Sequence, residues 1–248
     1  MLTVKIKDTV FNSPIIAASG TFGYGNEVEG FVDLSKLGAV ITKSITHKPR
    51  EGNLSPRIHG SDSGMINSIG LANIGVEKFC KVKVEPLNNL KTKYIVSIAG
   101  STIDEYVEIL TQIEQSNGNH VGYEINISCP NVKQGGIEFG VNKDIVCNLT
   151  SQLRELTQKL LIIKLTPNVT DISEIALSAQ KGGADAISAV NTFQGLAIDY
   201  ETGKMLLSTT FGGVSGYPIK PLALAKVHKI YNNINIPIIG MGGICKYE

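Results

Sequence analysis

The sequence predicts an α/β protein built as a (β/α)8 barrel, the TIM-barrel architecture, and three observations lead to this prediction. Seven short runs of apolar and β-branched residues recur along the chain, and continuous runs of this kind are typical of parallel strands buried on both faces. Helical patterns lie between most of the runs, which indicates right-handed βαβ units. Polar and glycine-rich residues follow the carboxyl end of nearly every run, where a barrel builds its active site.

The predicted strands are the seven runs themselves, taken in chain order. They are PIIAAS (14–19), GAVITK (38–43), YIVSIAG (94–100), VGYEIN (121–126), LIIKLTP (161–167), ADAISAV (184–190) and IPIIGMGG (236–243). Their regular spacing favours a barrel over an open doubly wound sheet. The two longest connections cover 44–93, after the second strand, and 191–218, after the sixth. Long segments at the catalytic face usually build the site or its lid.

Two connections carry clear helix signals. The segment STIDEYVEILTQIEQ, which follows Gly100, has a Ser or Thr cap ahead of acidic residues in its first turn. The segment TDISEIALSAQKGG is capped by Thr170 or Asp171 and stopped by glycine. The chain ends at Glu248, just after the seventh strand. We therefore predict one domain over 1–248 that lacks the eighth strand and the closing helices of the barrel.

The composition excludes several classes of function. Lys and Arg number 23 and Asp and Glu 22, and their scatter leaves no electrostatic footprint for nucleic acid or an acidic membrane surface. The amino terminus, MLTVKIKDTVF, lacks the apolar run of a signal peptide and no later segment is long enough to span a bilayer, so the predicted location is the cytoplasm. The four cysteines form no C-x-x-C pair, which argues against a structural zinc site and a disulfide scaffold. They are Cys80, Cys129, Cys147 and Cys245.

Two glycine-rich groups indicate a phosphate site. The group IIGMGG (238–243) ends the seventh strand, and FGGVSG (211–216) follows the sixth. Glycine lets the backbone approach a ligand closely and point N–H groups at it, which suits a phosphate at this end of a barrel. For either group alone, a glycine-rich turn without a ligand is the alternative. Neither matches the P-loop or the dinucleotide fingerprint, so a mononucleotide such as FMN is favoured over NAD.

Two lysines end otherwise apolar strands, Lys43 in AVITKS and Lys164 in LIIKLTP. Lysine is almost never fully buried without a partner, so each implies a partner. An ammonium group here would stabilise the negative charge that a reduced flavin carries at its N1–C2=O edge. The alternative is a lysine whose charged end reaches solvent from the strand end. Because two lysines share one structural position, the flavin is the favoured interpretation.

Four asparagines fall at the predicted catalytic face. They are Asn67, Asn126, Asn131 and Asn191, the last followed by Thr192. An asparagine amide offers both a donor and an acceptor, which suits a ring with alternating C=O and N–H edges such as a pyrimidine. For any single asparagine, a role as a turn former is the alternative.

One cysteine, Cys129, lies in a polar loop between two of these asparagines. A free cysteine titrates near ~8.5, so it can act as a general acid or base once its surroundings adjust it. Cys80 and Cys147 lie in helical stretches and are interpreted as packing residues, whereas Cys245 is left unassigned. No histidine pairs convincingly with Cys129, so a thiol nucleophile of the protease kind is not predicted.

Eight segments, in order along essentially the whole chain, resemble dihydroorotate dehydrogenase of class 1, a flavoenzyme family of pyrimidine synthesis. They are ASGTFGYG (18–25), ITKSIT (41–46), GMINSIGLAN (64–73), NISCPNVKQGGIEFG (126–140), IIKLTPNVTDI (162–172), NTFQG (191–195), GGVSG (212–216) and PIIGMGGI (237–244). The loop around Cys129 resembles class 1B, whose catalytic subunit pairs with an iron–sulfur subunit and passes electrons to NAD+. The fumarate-using class 1A differs in that loop. Class 2 has serine in place of Cys129 and an amino-terminal extension.

The resemblance implies the FMN-dependent oxidation of (S)-dihydroorotate to orotate, in the synthesis of UMP. Cys129 would remove the C5 proton while hydride passes from C6 to N5 of FMN. The residues implied to hold the pyrimidine and its carboxylate are Lys43, Asn67, Gly70, Leu71, Asn126, Asn131, Asn191 and Thr192. Those implied to hold FMN and its phosphate are Ala18, Ser19, Gly20, Lys43, Asn126, Lys164, Gly216, Gly242 and Gly243.

The resemblance also implies a homodimer of barrels, joined to a partner subunit with FAD and a 2Fe-2S cluster as a heterotetramer. The alternatives are an FMN barrel enzyme of the dihydropyrimidine dehydrogenase type, a class 1A enzyme, and a non-catalytic flavin-binding fragment. The early stop removes the last strand of the family and half of its phosphate site. Because unpaired strand edges are open to other chains, we expect this chain alone to be poorly soluble or flavin-free.

Overall fold

The structure is a computed structural model that describes residues 2–128, 130–131 and 137–246. The strands are β1 (Val4–Ile6), β2 (Thr9–Phe11), β3 (Ile16–Ala17), β4 (Ala39–Ile41), β5 (Ile58–Ser61), β6 (Gly64–Asn67), β7 (Lys93–Ile98), β8 (Gly122–Asn126), β9 (Pro130–Asn131), β10 (Ile137–Glu138), β11 (Leu160–Leu165), β12 (Ala186–Ala189), β13 (Phe193–Gly195), β14 (Gly212–Gly216) and β15 (Ile238–Gly240). The α-helices are α1 (Val76–Val82), α2 (Val84–Asn88), α3 (Ile103–Glu114), α4 (Lys143–Leu156), α5 (Ile172–Lys181) and α6 (Lys220–Tyr231).

A seven-stranded parallel sheet forms the centre, in the order β3-β4-β7-β8-β11-β12-β15. Each strand pairs with the next one along the chain, as in a barrel wall, whereas a doubly wound sheet reverses its order. All seven predicted strands are therefore confirmed, and each is shorter than its predicted run. The seventh stops at Gly240 because Gly242 and Gly243, with φ of 118° and 72°, turn the backbone out of the strand.

The central strands are buried on both faces, as their continuous apolar sequence predicts. Every residue of β11 and β12 is buried. One face packs against the helices, and the other packs with Ile6 and Phe11 of the β1–β2 hairpin at the amino end of the sheet. This leaves the carboxyl ends of the strands as the place where polar side chains collect.

The helix caps explain where two of the predicted helices begin. Helix α3 begins after Thr102, whose hydroxyl accepts a hydrogen bond from the Glu105 N–H at 3.1 Å. Helix α5 begins after Asp171, whose carboxylate accepts from the Ser173 N–H, so Asp171 rather than Thr170 is the cap. Gly182 follows the last residue of α5, as the glycine stop signal indicates.

The two long connections form one antiparallel sheet, in the order β13-β14-β6-β5. Strand β14 pairs with β6 so that Gly213 faces Asn67. The sequence predicts a glycine-rich phosphate turn at 211–216, but the structure places 212–216 in a strand. The reason is close packing, because a Cβ on Gly213 would lie 2.1 Å from the Thr192 hydroxyl oxygen. Only Gly216, with φ of 105°, turns out of this sheet at its end.

The cysteines of the described residues are all free. Cys80 lies in α1 and Cys147 in α4, both half-buried, which confirms their predicted helical positions. Burial raises the pKa of the Cys80 thiol above its ordinary value. Cys245 is exposed. Within the described part of the chain, no helix has the length and apolar character needed to cross a membrane.

Candidate active site

A cavity of about 480 Å³ opens at the carboxyl ends of the central strands, between them and the antiparallel sheet. This volume lies within the range of small-molecule and cofactor sites. Most of the predicted binding residues line it. They are Ala18, Ser19, Gly20, Lys43, Asn67, Leu71, Asn126, Lys164, Asn191, Thr192, Gly216, Gly242 and Gly243. Residues from both ends of the chain and from both long connections therefore meet at one place.

For three predicted residues, no place in the lining of the cavity is described. Cys129 lies outside the described residues. Asn131 lies in β9, which pairs with β10 so that Asn131 faces Ile137. Gly70 precedes the lining residue Leu71, and both have positive φ, of 71° and 56°. A non-glycine residue in this region is uncommon, and strain of this kind is found at ligand sites.

The glycines of one end of the cavity are in contact with the start of helix α6. A Cβ on Gly242 would lie 2.8 Å from the Ala223 side chain, and one on Gly243 would lie 2.7 Å from the Lys220 nitrogen. Ile219, at the N-cap position of α6, lines the cavity and makes no side-chain cap. The Lys220 N–H already donates to the Tyr217 carbonyl and Pro221 has no N–H. What this helix start offers an anion is therefore the positive end of the helix dipole, beside the backbone of the two glycines.

Gly20, which also lines the cavity, borders open space. Its φ is 88°, and no heavy atom lies within 4 Å of the place where a Cβ would be. A glycine in such a place lets a ligand come up to the backbone. Ser19, beside it, has its hydroxyl 3.5 Å from that of Ser44, which also lines the cavity.

Hydrogen bonds fix three asparagines of the site, two of them in one group. The Asn191 amide donates to the side-chain oxygen Oδ1 of Asn126 at 3.3 Å and to the Ser128 hydroxyl at 2.9 Å. The Asn67 amide donates to the Gly213 carbonyl at 3.2 Å, which ties it to β14. Amide groups fixed in this way present donors and acceptors in set directions, as recognition of a pyrimidine requires.

The two predicted lysines differ in their surroundings. Lys164 is 6% exposed, and its ammonium nitrogen lies 3.5 Å from Oε1 of Glu124. Lys43 is half-buried and forms no ion pair with any part of the chain that the structure describes. The prediction that a buried lysine has a partner is confirmed for Lys164, but Glu124 is a partner that the sequence reasoning missed. The signal was present, since Glu124 interrupts the apolar run VGYEIN as Lys164 interrupts its own.

Several further lining residues were not predicted. They are Thr21, Ser44, Ile58, Met65, Ile69, Val190, Ser215, Ile219 and Met241. Among them, Ser44 contacts a predicted site residue directly. Its hydroxyl accepts a hydrogen bond from the Asn126 amide at 3.5 Å and lies 2.8 Å from the Ser97 hydroxyl. Its place directly after Lys43 is the one sequence signal that could have identified it. Ile58 and Met65 come from the antiparallel sheet, whose formation no local pattern predicts.

Comparison with known proteins finds a match to the family model described as dihydroorotate dehydrogenase, over residues 1–247. A protein of Alkaliphilus oremlandii (strain OhILAs) is 46% identical over 245 residues, which cover 99% of this chain and 80% of that protein. Proteins of Thermoanaerobacter sp. (strain X514) and Caldicellulosiruptor saccharolyticus are 42% and 45% identical, and each match covers 100% of this chain and 81% of the relative. All three are named "Dihydroorotate dehydrogenase B (NAD(+)), catalytic subunit".

Proposed function

The chain belongs to the dihydroorotate dehydrogenase family, and on this premise we propose that it catalyses the FMN-dependent oxidation of (S)-dihydroorotate to orotate in UMP synthesis. The observation that carries the proposal is the single cavity in which the predicted lysines, asparagines and glycines meet. The names of the relatives favour the NAD+-linked class 1B enzyme over the fumarate-linked class 1A enzyme.

The residues around the cavity fit FMN at two places. The positive end of the α6 dipole beside the backbone of Gly242 and Gly243 suits the phosphate, and the open space at Gly20 lets a ring system approach the backbone. When bound, FMN supplies the acceptor for the hydride that leaves C6 of the substrate. The residues proposed to hold it are Ala18, Ser19, Gly20, Lys43, Asn126, Lys164, Gly216, Gly242 and Gly243.

The remaining polar residues are proposed to orient the substrate. Asn67, Asn126, Asn191 and Thr192 line one cavity, so their amides and hydroxyl can bind the C=O and N–H edges of a single pyrimidine ring. Lys43 is proposed to bind the carboxylate, because an ammonium group that forms no ion pair among the described residues favours an anion. Gly70, Leu71 and Asn131 complete the proposed substrate site.

Cys129 is proposed as the general base. It follows Ser128, whose hydroxyl accepts a hydrogen bond from the substrate-site residue Asn191. In the proposed step the C5–H bond breaks and its proton passes to the cysteine sulfur. Removal of this proton lets the C5–C6 double bond of orotate form as hydride leaves C6.

The proposed assembly follows from the phrase "catalytic subunit" in the names of the relatives, which implies a separate partner. We propose a homodimer of this chain joined by a subunit that holds FAD and a 2Fe-2S cluster and reduces NAD+. We also propose that the seven-stranded sheet is part of the wall of a (β/α)8 barrel, because its strands are parallel and follow chain order. A cytoplasmic location stays a prediction from the sequence.

An anaerobic titration tests the function. The FMN-loaded protein is mixed with dihydroorotate, and separately with dihydrouracil, while the flavin absorbance is followed. We expect bleaching by dihydroorotate alone, because the uracil analogue lacks the carboxylate. Bleaching by dihydrouracil would support the dihydropyrimidine type of enzyme, and bound flavin that neither substrate bleaches would support a non-catalytic flavin protein.

A further inference from the structure

A buried carboxylate, Glu124, lies beneath the cavity floor, and no step of the proposed reaction uses it. Glu124 is 0% exposed. Its Oε1 lies 3.5 Å from the ammonium nitrogen of Lys164, which lines the cavity. Its Oε2 accepts a hydrogen bond from the Ser188 hydroxyl at 2.9 Å. The carboxylate is thus held on one oxygen by a neutral group and faces a cation with the other.

Strand register explains how three adjacent strands bring these groups together. In β8, Tyr123 and Ile125 pack in the large apolar cluster, whereas Glu124 and Asn126 alternate with them and face the other side. Asn126 reaches the cavity from this side, so Glu124 lies one layer below it. Lys164 of β11 is the register partner of both Asn126 and Ser188.

The contact between Glu124 and Lys164 is an ion pair without a hydrogen bond. Within the described residues, Oε1 of Glu124 makes no hydrogen bond, although Lys164 is its near neighbour. The Lys164 ammonium therefore retains donors that a ligand in the cavity can use. A buried ion pair with incomplete hydrogen bonding is poor evidence for a stabilising role, because desolvation can exceed the attraction between the charges.

We propose that Glu124 is a positioning residue that holds the Lys164 ammonium at the cavity floor and limits the positive charge it presents to the flavin. This inference rests on the proposed function, in which Lys164 lies beside the pyrimidine edge of FMN. With oxidised FMN, Glu124 is the counter-charge of Lys164. With reduced FMN, the lysine lies between two negative groups and divides its attraction between them, so it stabilises the charge that the flavin gains less than an unpaired lysine would. Glu124 therefore lowers the preference of the site for reduced FMN.

The test measures the ratio of the dissociation constants of oxidised and reduced FMN by anaerobic titration, without any substrate. Glu124→Gln keeps the shape of the side chain and removes its charge. We expect this variant to favour reduced FMN by about tenfold more than the parent, which is a rise in midpoint potential of about 30 mV for a two-electron couple. We expect no such change when Glu124→Gln is added to Lys164→Met, because the effect acts through the lysine.

Two control variants separate this role from a structural one. Glu114→Gln neutralises a carboxylate that pairs with Lys159 at 2.7 Å at the other end of the sheet, and we expect it to leave the ratio unchanged. Glu124→Asp keeps the charge at a shorter reach, so we expect a smaller shift in the same direction as Glu124→Gln.

An unchanged ratio in Glu124→Gln, a shift toward oxidised FMN, or an equal shift in the Lys164→Met background would overturn the inference. Failure of both Glu124 variants to fold would also overturn it in favour of a structural role. Such results leave the proposed function standing if the parent binds FMN and is bleached by dihydroorotate. A parent that binds no FMN even within the proposed assembly overturns both proposals.

Discussion

Two carboxylates, one at the amino end and one at the carboxyl end of the central sheet, show how differently these two ends are built. At the amino end, Glu114 accepts a hydrogen bond on each oxygen, from the Lys159 ammonium at 2.7 Å and from the Thr157 hydroxyl. At the carboxyl end, Glu124 accepts a hydrogen bond only on Oε2 among the described residues. Both oxygens of Glu114 and the Lys159 ammonium are thus bonded to each other or to the protein, whereas the partly bonded carboxylate of Glu124 leaves its lysine partner able to bind a ligand.

A network of polar and charged residues at the amino end of the central sheet extends this contrast. The members of this amino-end network are Lys7, Glu114, His120, Tyr123, Arg154, Thr157, Lys159 and Asp185. Within it, Asp185 accepts hydrogen bonds from Arg154 at 2.7 Å and from the Leu161 N–H at 2.9 Å. Its members join the β1–β2 hairpin, α3, α4 and the first residues of three strands. Polar groups at this face of a barrel contribute to stability, whereas those at the opposite face bind and react. Substitutions at the carboxyl end should therefore change flavin binding and reduction, and substitutions at the amino end should change the free energy of unfolding.

The largest expected effect is at the carboxyl end, for Cys129→Ser. A hydroxyl is a far weaker base than a thiolate at neutral pH, and general base catalysis is worth about 10² to 10⁴ in rate. We expect this variant to keep FMN and bind orotate while its flavin is reduced more slowly by about that factor. Stopped-flow measurement of the anaerobic half-reaction decides the matter, and a rate equal to that of the parent near neutral pH would remove Cys129 from the role of base.

The second prediction concerns pH and the amino-end network. Burial, with a smaller effect from Lys159, lowers the pKa of His120 to about 4. In the unfolded chain histidine titrates near about 6.5, so between these values the unfolded state binds a proton that the folded state does not. The contribution of His120 to the free energy of unfolding is therefore full above pH about 6.5 and falls by about 3 kcal/mol as the pH approaches 4.

Urea unfolding at several pH values, in the parent and in His120→Gln, measures this contribution. For each protein, the free energy of unfolding is plotted against pH between about 4 and 6.5, and the slopes of the two plots are compared. His228→Gln is the matched control, because His228 is exposed and its loss should leave the slope unchanged. Equal slopes in the parent and in His120→Gln would mean that the buried imidazole is not a source of the pH dependence.

The third prediction compares two lysines, one from each end. Lys164→Ala removes a cation from the proposed flavin site, and a hydrogen bond to a charged group is worth about 1.5–3 kcal/mol. We therefore expect binding of reduced FMN to weaken by roughly tenfold to a hundredfold, with a smaller loss for oxidised FMN. Lys159→Ala should lower the free energy of unfolding and leave both affinities unchanged. A potentiometric titration of Lys164→Ala with the midpoint and occupancy of the parent would contradict the assignment.

The sequence predicts the central sheet well because each strand carries its own signal. The runs are apolar and β-branched over the length of a buried strand, and helices with readable caps separate them. The position of the site follows from the same signal, since polar residues that end parallel strands meet at one edge. The order of the strands is therefore enough to predict that Lys43, Asn126 and Lys164 lie together.

The antiparallel sheet and the ion pairs could not be predicted in this way. Strand β14 has the sequence GGVSG, which is typical of a turn, and only its pairing with β13 and β6 makes it a strand. The contact between Glu124 and Lys164 depends on the register of β8 against β11, where a shift of one residue would turn one side chain to the opposite face. Lys7 and Asp185 are 178 positions apart, so no local pattern reveals their contact.

The smallest expected effect tests whether every polar residue at the carboxyl end serves the ligand. Thr102 follows β7 at this end, yet its hydroxyl accepts a hydrogen bond from the Glu105 N–H and caps α3. Loss of such a cap costs about 1 kcal/mol of stability, whereas a serine can replace it. We expect Thr102→Ala to lower the free energy of urea unfolding by that amount, Thr102→Ser to change it little, and neither to alter the affinity for FMN. A loss of FMN affinity in Thr102→Ala but not in Thr102→Ser would show that the hydroxyl acts on the site. The helix cap would then have to be counted among the residues at the carboxyl end that serve the ligand.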